Sequence, residues 1–183
     1  MTTVVSPPAP PQAPPGSPDE PTPGTLWAPL AAGFVMFVSG VFSLVTGAVL
    51  LFPSLGPTAV QLAYFPRRKG SRPYNVVVSH LTGIAVAYVA VAAFGIGRDP
   101  SPFVLHHLTA ARVWAAVLAV MAAALLEILL DARHPPAAST TLLVALGDFK
   151  LTLRDAVVVV AGVLLVAAVG EALRFVRLRT EAA

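Results

Sequence analysis

Four histidines, at positions 80, 106, 107 and 134, are the side chains of this sequence that ordinarily titrate near neutrality, and cysteine is absent. Without thiols there can be no disulfide, no thiolate nucleophile and no Cys-based zinc or iron–sulfur centre. His106 and His107 are adjacent, so on a helix they would diverge by about 100° and could not form the i, i+4 pair that grips zinc. A link between helices suits them better. There is no Gly-x-Ser-x-Gly elbow, no His-Glu-x-x-His pair and no Asp-rich phosphate or Mg²⁺ cluster. The expectation is a protein that is not an enzyme, with no catalytic residue, no metal and no cofactor. A bis-histidine haem on His80 and His107 is the alternative these residues leave open.

His134 begins His134-Pro135-Pro136, followed by Ala137, Ala138, Ser139, Thr140 and Thr141. Proline suits the first position of a helix, where its missing N–H costs nothing, so the trio reads as the opening of a short helix. The small residues behind it let neighbouring helices approach closely in lipid, and the free N–H groups of a helix start attract anions. Packing and anion binding are both open readings. Gly56, Pro57 and Thr58 either expose backbone N–H groups in the same way or simply break the chain between two helices.

His80 stands about one turn inside an apolar stretch, where an ionisable group is costly unless it faces protein or water. It either lines a substrate path or makes a structural hydrogen bond across helices. His134 either serves an anion or a proton, or bonds a helix end. Glu127, one turn before Asp131, belongs either to the membrane interface or to a proton relay. Glu171 and Arg174 can pair at i, i+3. The candidate substrate-binding set is His80, His134, Gly56, Thr58, Ser139, Thr140 and Asn75.

The elements that must position these residues follow from composition. The chain is 56% hydrophobic and 11% charged, with mean hydropathy +0.79, whereas a soluble domain is about a quarter charged. Four apolar runs, 30–52, 76–96, 108–130 and 156–176, reach the roughly 20 residues that cross about 30 Å of hydrocarbon. Inside lipid only helices or a closed barrel satisfy the backbone, and these runs lack the alternation of barrel strands. Segments 53–65 and 134–147, helical at about 20 Å, fall short of a crossing. The predicted fold is therefore an all-α integral membrane protein: four long transmembrane helices and two short half or re-entrant helices.

A shift of 81 residues lays 53–58 over 134–139 and Val76-Val77-Val78 over Val157-Val158-Val159. That predicts a tandem repeat with halves of about 30–97 and 108–176 inside a domain of 26–178. Interrupted short segments at matching places in two halves are a pointer to a transporter binding site. Residues 1–25, with nine of the eighteen prolines, read as a disordered tail, and 179–183 as a short tail. The N-terminus lacks the basic start and apolar core of a signal peptide, so the first helix does its own targeting.

The net charge of +3 and pI near 9.8 come from clusters beside the apolar runs, which points to membrane topology rather than nucleic acid. Arg67, Arg68, Lys69 and Arg72 form one cluster, Arg174, Arg177 and Arg179 the other, and both should be cytoplasmic. Three long helices separate them, so they share a side only if 134–147 also crosses. This favours six passages in a cell (plasma or inner) membrane, both termini cytoplasmic and the halves inverted. Four passages, with both short segments dipping into one leaflet, is the competing arrangement.

Over about residues 28–176 the chain resembles the HPP family of integral membrane proteins. The resemblance rests on His134-Pro135-Pro136 with its small and hydroxyl residues, on Pro53-Ser-Leu-Gly-Pro-Thr58-Ala59, and on Arg72-Pro73-Tyr74-Asn75 with His80 after it. Tyr74 stands where family members usually carry Arg, and the appended CBS-domain pair of some members is not read here. The resemblance implies a four-helix membrane region and, for some plant and cyanobacterial relatives, nitrite transport. The expected function is a transporter or channel for a small inorganic anion such as nitrite, embedded in the lipid bilayer, with a homo-oligomer enclosing the path. The alternative is a non-transporting scaffold or partner subunit. Transport predicts that 53–65 and 134–147 meet inside the bilayer, with Thr58, Ser139 and Thr140 around one cavity and His80 on its wall. A scaffold predicts a fully packed centre with His80 hydrogen-bonded.

Overall fold

The computed structural model describes Ser17 and residues 26–182, so the tail read over 1–25 lies, but for Ser17, outside the described residues. Among the described residues seven α-helices follow one another: α1 (Trp27–Thr46), α2 (Leu55–Tyr64), α3 (Pro73–Ala93), α4 (Pro102–Leu105), α5 (Ala110–Leu129), α6 (Ala137–Ala145) and α7 (Leu153–Ala182). A 3₁₀ turn at Lys69–Ser71 precedes α3, and among the described residues there is no strand. The chain is all-α, and α1, α3, α5 and α7 are each long and apolar enough to cross a bilayer.

The helix ends have local causes. The first apolar run was expected to stay helical to residue 52, but α1 stops at Thr46 because Gly47 turns to φ 67° and gives its N–H to Ser43 O. The Ser43 hydroxyl then accepts the Leu50 N–H at 2.9 Å, turning the chain back toward α2. Pro73 sits in the first turn of α3. Pro135 and Pro136 lie just ahead of α6 rather than inside it, in a turn closed by Ala137 N–H on His134 O at 2.9 Å. The one-turn α4, unread in the sequence, is capped by the Ser101 hydroxyl and ends at His106 with φ 55°. It leaves His106 and His107 in the link between long helices, as expected. At the other end α7 runs on past residue 176 to Ala182.

Large apolar side chains face outward, among them Leu30, Phe34, Phe37 and Leu44 on α1 and Trp114, Leu118, Met121 and Leu125 on α5. Small ones face inward: Ala28, Ala31 and Ala32 on α1, Ala115, Ala119 and Ala123 on α5. Small-in and large-out is how helices pack closely while presenting hydrocarbon to lipid. Gly83 marks a close approach, since a side chain there would collide with the Thr141 hydroxyl of α6.

Packing divides the helices into two triads. One joins α1, α2 and α7, the other α3, α5 and α6, and the contact of α3 with α7 connects them. Each short helix thus packs on the long helix before it and on the final long helix of the other half. The first triad and part of α3 bury the larger apolar core, including Val35, Phe52, Leu55, Leu62, Val76, Val159, Val163 and Val166.

The two ends of the bundle are identifiable from contacts. At one end Arg174 donates to Pro66 O at 3.3 Å, Arg177 lies over the Trp27 ring at 5.4 Å, and Lys69 pairs with Asp131. Both basic clusters are therefore at this end, with the starts of α1 and α3 and the finish of α2, α5 and α7. At the other end the buried Arg112 of α5 donates to Ala145 O (3.1 Å), Ile96 O (3.0 Å) and Asp99 O (2.8 Å), tying together the close of α3 and α6. A guanidinium suits the negative carbonyl ends of helices.

Candidate functional site

Of the candidate residues, Thr58, His80, His134 and Thr140 converge on one point, each with no exposed surface. Thr58 lies one turn into α2, His80 two turns into α3, His134 ahead of α6 and Thr140 one turn into α6. Ser54, the residue before α2, joins them at 1% exposure. The short helices pass antiparallel and reciprocally. Ser54, at the start of α2, meets Thr140 inside α6 at 2.8 Å, while Thr58, inside α2, meets His134 ahead of α6 at 3.2 Å.

His80 sits between them. Its Nδ1 is 2.7 Å from Thr140 Oγ1 and its Nε2 is 3.0 Å from Thr58 Oγ1. His134 Nε2 faces the same Thr58 oxygen, and its Nδ1 is 2.7 Å from Gly70 O. The Gln61 amide lies 3.3 Å from that Nδ1. One hydroxyl oxygen is therefore held between two imidazole nitrogens.

With both rings neutral, donor counting fixes every proton in the chain. A backbone carbonyl only accepts, so His134 Nδ1 carries the hydrogen and Nε2 the lone pair. Thr58 must then donate to His134, which leaves its oxygen to accept from His80 Nε2–H. His80 Nδ1 accepts from Thr140, whose oxygen is also 2.8 Å from Ser54 Oγ. Donation thus runs Thr140, His80, Thr58, His134, Gly70 O without a reversal. Among the described residues no set of three His, Asp or Glu side chains could hold a metal ion. Both nitrogens of His80 are engaged by hydroxyls, while His107 is exposed and bonded to Leu105 O, so the pair considered for haem occupies two different settings.

The other candidates are placed elsewhere. Ser139 turns back to donate to Pro136 O at 2.6 Å, because a residue adjacent to Thr140 points about 100° away on a helix. Gly56 is half-buried, with nothing within 4 Å of where a side chain would begin. Asn75 is buried at 2% exposure and ties two links together. Oriented to satisfy both ends of its amide, it donates to Lys69 O at 3.2 Å and accepts from Arg133 N–H at 3.1 Å. Ser79 donates to Ala132 O in the same region.

Sequence reasoning missed Ser54, Gln61 and Arg112. The first two were legible in principle, since 54, 58 and 61 recur at i, i+4, i+7 and share one face of a helix. Arg112 carries no such signal, because a lone Arg at the start of an apolar run looks like an ordinary interfacial charge. Glu127 is half-buried, and its carboxylate takes the His134 backbone N–H; Glu171 pairs with Arg174 at 2.6 Å, as its spacing allows.

A family model described as HPP, transmembrane region, matches residues 17–181. No curated protein and no solved structure matches the chain.

Proposed function

The chain belongs to the family of the HPP transmembrane region, and from that premise we propose that it moves a small monovalent anion across the bilayer through the Ser54–Thr58–His80–His134–Thr140 cluster. Nitrite is the substrate of choice on the family resemblance. The observation that carries this reading is the antiparallel meeting of two short helices at one buried polar point between the halves. Their first turns bring backbone N–H dipoles, hydroxyls and imidazoles together, which can replace the hydration of a small anion without a fixed full charge.

The element bounds support an inverted repeat. Moved on by 81 residues, α1 becomes 108–127 beside α5 at 110–129, α2 becomes 136–145 beside α6 at 137–145, and α3 becomes 154–174 within α7. Read with both basic clusters at one end, the short segments carry the chain from one end of the bundle to the other. That gives six passages with both termini on the cytoplasmic side, in a cell membrane. The closed cluster is then an occluded state, opened by rocking one triad against the other.

The second reading, a scaffold or partner subunit, is favoured by the closed packing and by the full hydrogen bonding of His80. Uptake of labelled nitrite into proteoliposomes separates the two. Transport predicts uptake above protein-free vesicles that is lost in His134→Ala; equal uptake with and without protein leaves the scaffold.

A further inference from the structure

His134 is in an unusual position for a ligand-binding imidazole. Its Nδ1–H is committed to Gly70 O at 2.7 Å, so its Nε2 has only a lone pair to present to the centre. His80 differs, because its Nδ1 faces a hydroxyl that can give or take a hydrogen and its Nε2–H is free to donate inward. The two Nε2 atoms nevertheless converge on one oxygen, Thr58 Oγ1, at 3.0 and 3.2 Å. An anion oxygen in that place would meet a donor from His80 and a repelling lone pair from His134. It meets two donors only when His134 is protonated at Nε2.

We propose that the site takes its ligand together with one proton: an oxygen of a small monovalent oxyanion replaces the Thr58 hydroxyl between the two Nε2 atoms, and His134 binds the proton. This rests on the anion-transport reading above. No bond of the anion is made or broken. One anion and one proton enter, His134 becomes an imidazolium, and the occupied site has the same net charge as the empty one. Thr58 vacates the position by rotating its hydroxyl toward the carbonyl one turn back, a bond that threonine makes readily inside helices.

The charge on His134 is met by the bound anion rather than by a protein carboxylate against the ring. From α2 it meets Thr58 and Gln61, from α3 His80, and from the preceding link Gly70. From α5 the Glu127 carboxylate accepts its backbone N–H. Lys69 and Asp131 nearby are paired with each other, and Arg133 is the adjacent cation in sequence. The imidazolium would thus sit beside one neutral imidazole and the bound anion, and transport by such a site is an electroneutral co-movement of anion and proton.

The test is calorimetric titration of the purified full-length protein with sodium nitrite, and separately with sodium nitrate, in two buffers of different ionisation enthalpy. Wild type is expected to take up about one proton per anion, and its affinity to fall about tenfold per pH unit above neutrality, as linkage to one proton requires. His134→Gln puts an amide donor near the Nε2 position without needing a proton, so uptake should drop to zero while binding persists. Should that variant fail to fold, Thr58→Ala opens the oxygen position and is expected to bind more tightly with one proton still taken up. Binding by wild type without proton uptake, unchanged uptake in His134→Gln, or no binding of either anion overturns the proposal. Anion flux in proteoliposomes that follows membrane potential and moves no protons would overturn it while leaving transport intact. Lack of protein-dependent flux removes the transport reading itself.

Discussion

The rings of His80 and His134 lie 5.3 Å apart, centroid to centroid, tilted by 51°. They come from different halves of the chain, 54 residues apart in sequence. Neither lies against a carboxylate side chain in its ring contacts, so one threonine hydroxyl mediates between them.

Thr58→Val keeps the volume and removes that hydroxyl, leaving a donor on His80 and an acceptor on His134 without partners. The expected cost is about 1–3 kcal/mol for each orphaned group. Thermal unfolding in detergent checks this; a melting temperature equal to wild type would mean that the two bonds contribute nothing.

Gly83→Ala pushes a methyl group into the Thr141 hydroxyl, which is buried and bonded to Ala137 O at 3.2 Å. Overpacking of this kind costs about 1–3 kcal/mol. Thr141→Ala in the same chain should recover most of the loss, because it removes the colliding atom. A double variant no more stable than Gly83→Ala would place the strain elsewhere.

Arg112→Met retains the apolar stem and deletes the donors to three carbonyl oxygens. Loss of about 2–4 kcal/mol is expected, since hydrogen bonds from a charged group are worth more than neutral ones. Gly147→Ala should fail at the same place. Its φ of 85° is strained for any residue with a side chain, and a Cβ would lie 2.6 Å from the guanidinium. Hydrogen exchange should show the ends of α3 and α6 opening together in both variants.

The pair of Lys69 and Asp131 gives a pH dependence of known sign. Its hydrogen bond with Lys69 holds the Asp131 carboxyl below its ordinary value of 3.8. The stabilisation is therefore complete above that ordinary value and disappears as pH falls through the depressed one. Asp131→Asn should be less stable than wild type at pH 7, and the two should converge in strong acid. The pair is exposed, so the gap will be small and will shrink further in high salt.

Because the sequence has no cysteine, single cysteines report topology directly. In sealed, right-side-out vesicles, Arg72→Cys and Arg179→Cys should share one reactivity toward an impermeant maleimide, and Arg98→Cys the opposite. Opposite labelling of the first two would require one short segment to return to the side it left, as in the four-passage arrangement.

The long helices were legible because lipid leaves few ways to satisfy a backbone, so a run of apolar residues nearly dictates its conformation. Their ends were less so. Gly47 is one small residue in an apolar stretch, and hydropathy cannot register the reversal of φ that ends α1 six residues before Phe52. Thr58, His80, His134 and Thr140 stood out by type and by matched positions. Ser139 and Thr140 both have hydroxyls, but the helix phase that admits one and excludes the other depends on where α6 starts. Arg112 escaped notice because its partners are all carbonyl oxygens, and every residue offers one of those.

The exchange of long helices between triads bears on how such a chain is made. A ribosome delivers α1 and α2 well before α7, yet the surface that covers them belongs to α7. Until then the Leu62 face of α2, which packs on Gly170 of α7, has no partner in the nascent chain. Truncation before residue 153 would leave a product whose first triad is open along one side, a ready target for membrane quality control. The first triad therefore closes only once α7 has been delivered, after the second triad already has all of its helices.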